Sequence, residues 1–188
     1  KGDPNALFLL EGMMDVIGAD VDSGKIKIVG EAFTDGWKPD NAQKNMEQIL
    51  TANNNNVDAV MSENDGMAGG AIAALQAQGM NIPVSGQDGD HAALNRVARG
   101  TQNTSVWKDA RQLGAAAGNI AAALADGVDM SALERAVKWS GGAKGVEMDA
   151  IFLAPTPIDK TNINVVIEAG HIAKAKVCEG AMAGVNGC

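Results

Sequence analysis

Four side chains have the chemistry to hold a polyhydroxylated ligand: Trp37 in "TDGWKPDN", Asn64 in "SEND", Asp88 in "SGQDGD" and Lys108 in "SVWK". Aromatic residues make up only 3% of the chain and Tyr is absent, so a tryptophan set among Asp, Gly, Lys and Pro needs a reason. A large apolar ring in a loop is either tucked under its own domain or offered to a ligand. The CH-rich faces of sugar rings stack on aromatic rings, and sugar hydroxyls need multidentate partners such as Asp, Asn and Lys. Each hydrogen bond to a charged group contributes roughly 1.5–3 kcal/mol net, so a site built from several rejects an analogue that leaves one unpaired. Each residue also has a plainer role. Trp37 could be a core ring, Asn64 a helix cap, Asp88 a turn residue and Lys108 a solvated charge.

What groups the four is the elements that carry them. "NALFLLEGMMDVIG" (5–18) is apolar at Leu7, Leu10, Met13, Met14 and Ile17, the spacing of a helix. "KIKIVGEAF" (25–33) is β-branched and reads as a strand, followed by a helix from Pro39 with Ala42, Met46, Ile49 and Leu50 on one face. "VDAVMSEN" (57–64) reads as a second strand, the Ala/Gly-rich segment 65–78 as a helix, and "IPVSGQD" (82–88) as a third strand. A helix capped by Asp90 runs to about Arg99, and "NTSVWK" (103–108) is the fourth strand. This rhythm predicts an α/β fold, a parallel sheet with helices on both faces. Ligand groups in such sheets collect beyond the carboxyl ends of the strands. Trp37, Asn64, Asp88 and Lys108 each follow or end a strand, so one rim would carry all four. Beyond Lys108 the pattern changes to a long Ala-rich helix (109–127), a loop at 138–147, a strand within 149–159 and a short helix within 162–172.

Composition narrows the function classes. The 188 residues carry a net charge of −8, with no Lys/Arg cluster to displace phosphate counterions, which argues against nucleic acid as a partner. No apolar run approaches the ~18 residues of a membrane span. The two histidines, His91 and His171, have no ligand spacing to the cysteines, so no metal site and no cofactor is expected. Cys178 and Cys188 bracket "CEGAMAGVNGC". They are either free thiols in a mobile tail or a disulfide closing a small Gly-rich loop. The spacing favours the disulfide, which would mark an oxidising compartment.

The run from "VDSGKIKIVGEAFTDGWKPDNAQKNMEQILTANNNNVDAVMSENDGMAGGAIAALQAQG" through "SGQDGD", "GTQNTSVWK" and "TPIDKTNIN" resembles the xylose-binding branch of the type I periplasmic sugar-binding proteins of ABC transporters. The resemblance implies two α/β lobes joined by a hinge, closing on a monosaccharide, most simply D-xylose, and docking on a membrane permease. It implies sugar contacts at Trp37, Asn64, Asp88 and Lys108, with Asn5 in "PNA" as a fifth. It further implies that residues 1–107 belong to a C-terminal lobe, that 108–152 are part of an N-terminal lobe, and that 153–188 hold the hinge crossing and tail. The second lobe is then incomplete here, the rest of the N-terminal lobe is an expected partner, and the address is periplasmic.

Other classes fit less well. A sensor presenting bound pentose to a signalling receptor would use the same scaffold and is the alternative. A DNA-binding regulator of this fold would need a helix-turn-helix and a different charge. For an enzyme, Asp88 and Asp90 would have to serve as paired carboxylates, yet they lie two apart beside glycine. No G-x-S-x-G elbow, H-E-x-x-H or P-loop occurs, so no catalysis and no catalytic residue is expected.

Overall fold

The computed structural model describes residues 2–142 and 144–188. They divide into two compact units, residues 1–107 with 156–188, and residues 108–155.

The first unit begins with α1 (Pro4–Asp22), started by proline at its first position and by Asp3, whose Oδ1 accepts the Asn5 N–H at 2.9 Å. Residues 27–34 join no ladder with any described strand, so the strand expected at 25–33 is not formed. The chain is tied there through its backbone instead, Asn53 Nδ2 donating to the Val29 carbonyl at 3.0 Å. A β-branched composition favours extended backbone, but only a neighbouring strand makes it a ladder.

Helix α2 (Pro39–Ala52) buries Ala42, Met46 and Leu50, one residue per turn on one face. It lies against α3 (Asp65–Ala77), whose Gly70 comes so close to the Pro39 carbonyl that any Cβ would clash. Small residues on α3 therefore permit the close approach, and Met46, Leu50, Val57, Ile72, Leu75 and Val84 fill one apolar cluster.

The sheet is short. Val60 bridges Val84 in parallel, and β1 (Gln87–Asp88) pairs in parallel with β2 (Ser105–Trp107). β5 (Thr156–Ile158) then joins β2 antiparallel, with Trp107 opposite Thr156. Between β1 and β2 lies α4 (His91–Ala98), and after β5 come α6 (Asn164–Glu168) and α7 (Lys174–Val177). These pack Leu94, Val97, Trp107, Ile158, Val166 and Val177 into a second cluster. Asp90 precedes α4 as expected, but its side chain makes no capping bond there.

The tail is folded onto this unit. Val185 is buried, the Asn186 N–H donates to the Lys160 carbonyl at 2.9 Å, and Cys178 and Cys188 are joined in a disulfide. The free-thiol alternative is thereby set aside.

The second unit holds α5 (Ala110–Ala125), capped by Asp109, and an antiparallel pair of β3 (Val137–Trp139) and β4 (Met148–Ala150). Lys138 Nζ meets Asp149 Oδ1 at 2.9 Å across the pair, and Trp139 and Phe152 stack edge to face. Lys138 and Trp139 were expected in a loop over 138–147 and instead form part of β3. Ala143 of that loop lies outside the described residues.

Candidate functional site

Trp37 closes a single 3₁₀ turn, Asp35–Trp37, immediately before α2. Its ring is half-buried, and its Nε1–H donates to Asp3 Oδ2 at 3.1 Å. The other oxygen of Asp3 caps α1 at Asn5, so one carboxylate ties the Trp37 ring to the helix start that carries Asn5. The Asn5 side chain itself is on the surface.

Asn64 caps α3. Its Oδ1 accepts the Met67 N–H at 2.8 Å, which is the plainer role foreseen for it. Capping uses only the carbonyl end of the amide, and the two Nδ2 donors make no bond among the described residues. The cap therefore fixes the amide while leaving its donor end available. The neighbouring Glu63 carboxyl is raised above the ordinary range by burial first, then by the charges of Asp3 and Glu31. That coupling places the Asp3–Trp37 pair and the start of α3 in one electrostatic neighbourhood.

Asp88 ends β1, its Cα registered with Trp107. Its backbone has φ 114°, and that of Trp37 has φ 59°. Positive φ is costly for a residue with a Cβ, of order 1–3 kcal/mol, and persists only where the surroundings over-determine it. Both residues proposed from sequence for the ring platform and the carboxylate thus stand in strained backbone.

Asp65, which sequence reasoning passed over, supplies much of the constraint. It is 1% exposed. Its Oδ2 accepts the N–H groups of Gly89 and Asp90, both at 2.9 Å, and the Ser105 hydroxyl at 2.6 Å. Its Oδ1 accepts Gln102 Nε2 at 2.8 Å. An acidic residue in the first turn of a helix ordinarily reads as a complement to the helix dipole. Nothing local in "ENDG" announces partners 24 to 40 positions away. Lys108 is exposed and opens the second unit, one residue after Trp107. The described residues hold no cluster of His, Cys, Asp and Glu arranged for a metal ion.

Residues 1–129 match the family model described as a periplasmic binding protein domain. The chain belongs to the periplasmic binding protein family. It is 44% identical over 171 residues to the D-xylose-binding periplasmic protein of Escherichia coli K12, covering 89% of this chain and 50% of that protein. Against the D-xylose-binding periplasmic protein of Haemophilus influenzae it is 41% identical over 178 residues, covering 93% and 52%. The chain therefore spans about half the length of the curated relatives it matches. Among solved structures, an ABC transporter solute-binding protein from Clostridium phytofermentans with bound β-D-glucose superposes with a TM-score of 0.81 at 29% identity, covering 94% of this chain and 57% of that one. The expected type I periplasmic sugar-binding fold is met, and the relatives are binding proteins rather than enzymes. No helix among the described residues is long and apolar enough to cross a membrane.

Proposed function

We propose that this chain carries the C-terminal lobe of a periplasmic protein that binds D-xylose and delivers it to the permease of an ABC transporter. The observation that carries this reading is the 44% identity, over 89% of the chain, to a D-xylose-binding periplasmic protein. In this reading Trp37 is the platform on which the pyranose stacks. Asn64 donates through Nδ2, Asp88 accepts from sugar hydroxyls, Lys108 donates as a cation, and Asn5 adds a fifth polar contact. Residues 1–107 form the lobe, 108–152 are part of the N-terminal lobe, and 153–188 cross back as hinge and tail. The remainder of the N-terminal lobe grips the opposite face of the sugar and covers α5. Sugar bridging the two lobes would favour the closed form, which is what a permease reads.

Two observations support this placement. Trp37 and Asp88 are two of the five non-glycine residues at positive φ (Asn54, Asn55 and Arg135 are the others), and function is a reason to tolerate strain at these two. Asn64 is held by its cap, and among the described residues its donor end makes no bond. Titration calorimetry of the complete two-lobed protein against xylose, glucose, ribose and arabinose tests the reading. Xylose should bind tightest, because a hexose must find space for an extra CH₂OH. Glucose binding as tightly as xylose would refute the assignment.

A further inference from the structure

Asp65 is a charged group with no direct role in the proposed sugar site, and it is more completely buried than any residue assigned to that site. Burial pushes its carboxyl above the ordinary carboxylate range, and the bonds from Ser105, the Asp90 N–H and Gln102 pull the other way. Holding a carboxylate in that place is costly unless its oxygens are filled, and they are. Oδ2 takes Gly89 N–H, Asp90 N–H and the Ser105 hydroxyl, and Oδ1 takes Gln102 Nε2.

The donor set is fixed from behind. Arg96 Nε donates to Gln102 Oε1 at 3.0 Å, so the Gln102 amide must present its NH₂ end to Asp65. Arg96 also donates to the Asp65 carbonyl at 2.7 Å. Gly86 leaves room for the pair, since a Cβ there would collide with Asp65 Oδ1 and Gln102 Nε2. An asparagine at position 65 cannot satisfy this arrangement. Whichever way its amide turned, an NH₂ group would face either the two backbone N–H groups or the NH₂ of Gln102.

The two residues clamped by Oδ2 directly follow Asp88, and Asp65 directly follows Asn64. We propose that Asp65 is a positioning residue of the sugar site, its buried carboxylate holding Asp88 in its strained backbone and in fixed relation to Asn64. This rests on the reading of Asp88 as a sugar contact. Without the clamp, the Asp88–Asp90 turn can relax from positive φ, and the Asp88 carboxylate leaves the direction from which it meets the ligand. Trp37 is held by Asp3 and not by this network, so its contribution should be independent.

Xylose calorimetry on the complete protein tests this through two double-mutant cycles. Asp65→Asn should weaken binding at least tenfold. Adding Asp65→Asn to Asp88→Asn should cost little more than Asp88→Asn alone, whereas Asp65→Asn and Trp37→Phe should multiply. Ser105→Ala, which removes one donor and one acceptor at the Gly89 N–H, should weaken binding severalfold with the same pattern, and it carries the cycles if Asp65→Asn does not fold. A purely structural role predicts lowered Tm with unchanged xylose affinity in the folded variants, or losses that multiply with both partners. Either result overturns the proposal while leaving xylose binding by Asp88 intact. If Asp88→Asn binds as the parent does, the sugar reading of Asp88 fails and this proposal with it.

Discussion

Of the two units, the second is the richer in apolar residues, yet it is the first that buries them. In the first, apolar side chains from α2, α3, α4, α6, α7 and the short sheet close two clusters, with Leu94, Ile158, Ile163, Val166 and Val177 fully shielded. In the second, no described residue is buried, and Leu113, Leu124, Val137, Met148 and Phe152 stand open to solvent. Helix α5 has the Ala-rich, small-residue surface of a packing helix and buries none of it. Helix formation by itself is weak, and most helical stability in a domain comes from packing an apolar face. Residues 156–188 return from the second unit to complete the first, so the core that supports the candidate site is assembled from both ends of the sequence.

The largest expected effect tests that contrast directly. Leu94→Ala should destabilise the chain by about 2–5 kcal/mol in urea unfolding, the range for truncating a buried leucine. Leu124→Ala, at 48% exposed, should change it by no more than about 0.5 kcal/mol. Equal losses would mean that the second unit has a core of its own. If a second lobe covers α5, as proposed, the Leu124→Ala cost should rise in the protein that carries it.

A smaller effect concerns the tail. Closing the Cys178–Cys188 loop restrains the unfolded chain by up to about 3 kcal/mol in the chain-entropy account. Cys188→Ser should lower Tm and speed proteolysis after residue 178. It should leave the α2–α3 cluster, which contains no tail residue, protected in hydrogen exchange. Loss of protection throughout α2 and α3 would show that the tail supports the whole unit.

The smallest effect is a control, because the same turn chemistry occurs in both units. Asp159 accepts the Thr161 N–H at 2.7 Å, and Asp129 accepts the Ser131 N–H at 2.9 Å. In each case the side-chain bond leads in holding the carboxyl below its ordinary range, with the backbone bond second. A depressed carboxyl contributes stability that is present above the unfolded pKa and lost as pH falls through the folded one. Asp159→Ala and Asp129→Ala should each produce a small loss at neutral pH that vanishes below the depressed values. Thermal melts across acidic pH check this. A loss that persists at the lowest pH would assign the effect to something other than the charge.

What could be read in advance follows the range of the interaction. The α2 face at Ala42, Met46 and Leu50 repeats within one helix, so its pattern is visible locally. The Asn64 cap is likewise a matter of three residues. The strand at 25–33 failed because extended backbone is a local property and pairing is not. β3 was hidden by the Gly-rich run that follows it, which dominated the reading of 138–147. Asp65 was the main omission. Its partners come from two other segments, Gly89 after β1 and Gln102 with Ser105 at the start of β2, and only the folded sheet brings them together. The rim itself was proposed from strand ends, and Trp37 sits beyond a segment that pairs with no described strand.

The central claim is that the first unit presents a sugar rim whose ring platform is Trp37. Xylose titration and thermal unfolding of Trp37→Ala, made side by side in the complete protein, test it most directly. The account predicts loss of measurable xylose binding with Tm close to the parent's, since the ring is half-buried and held by one exposed carboxylate. Retained affinity together with a drop in stability of about 3–5 kcal/mol, the cost of truncating a core tryptophan, would contradict it.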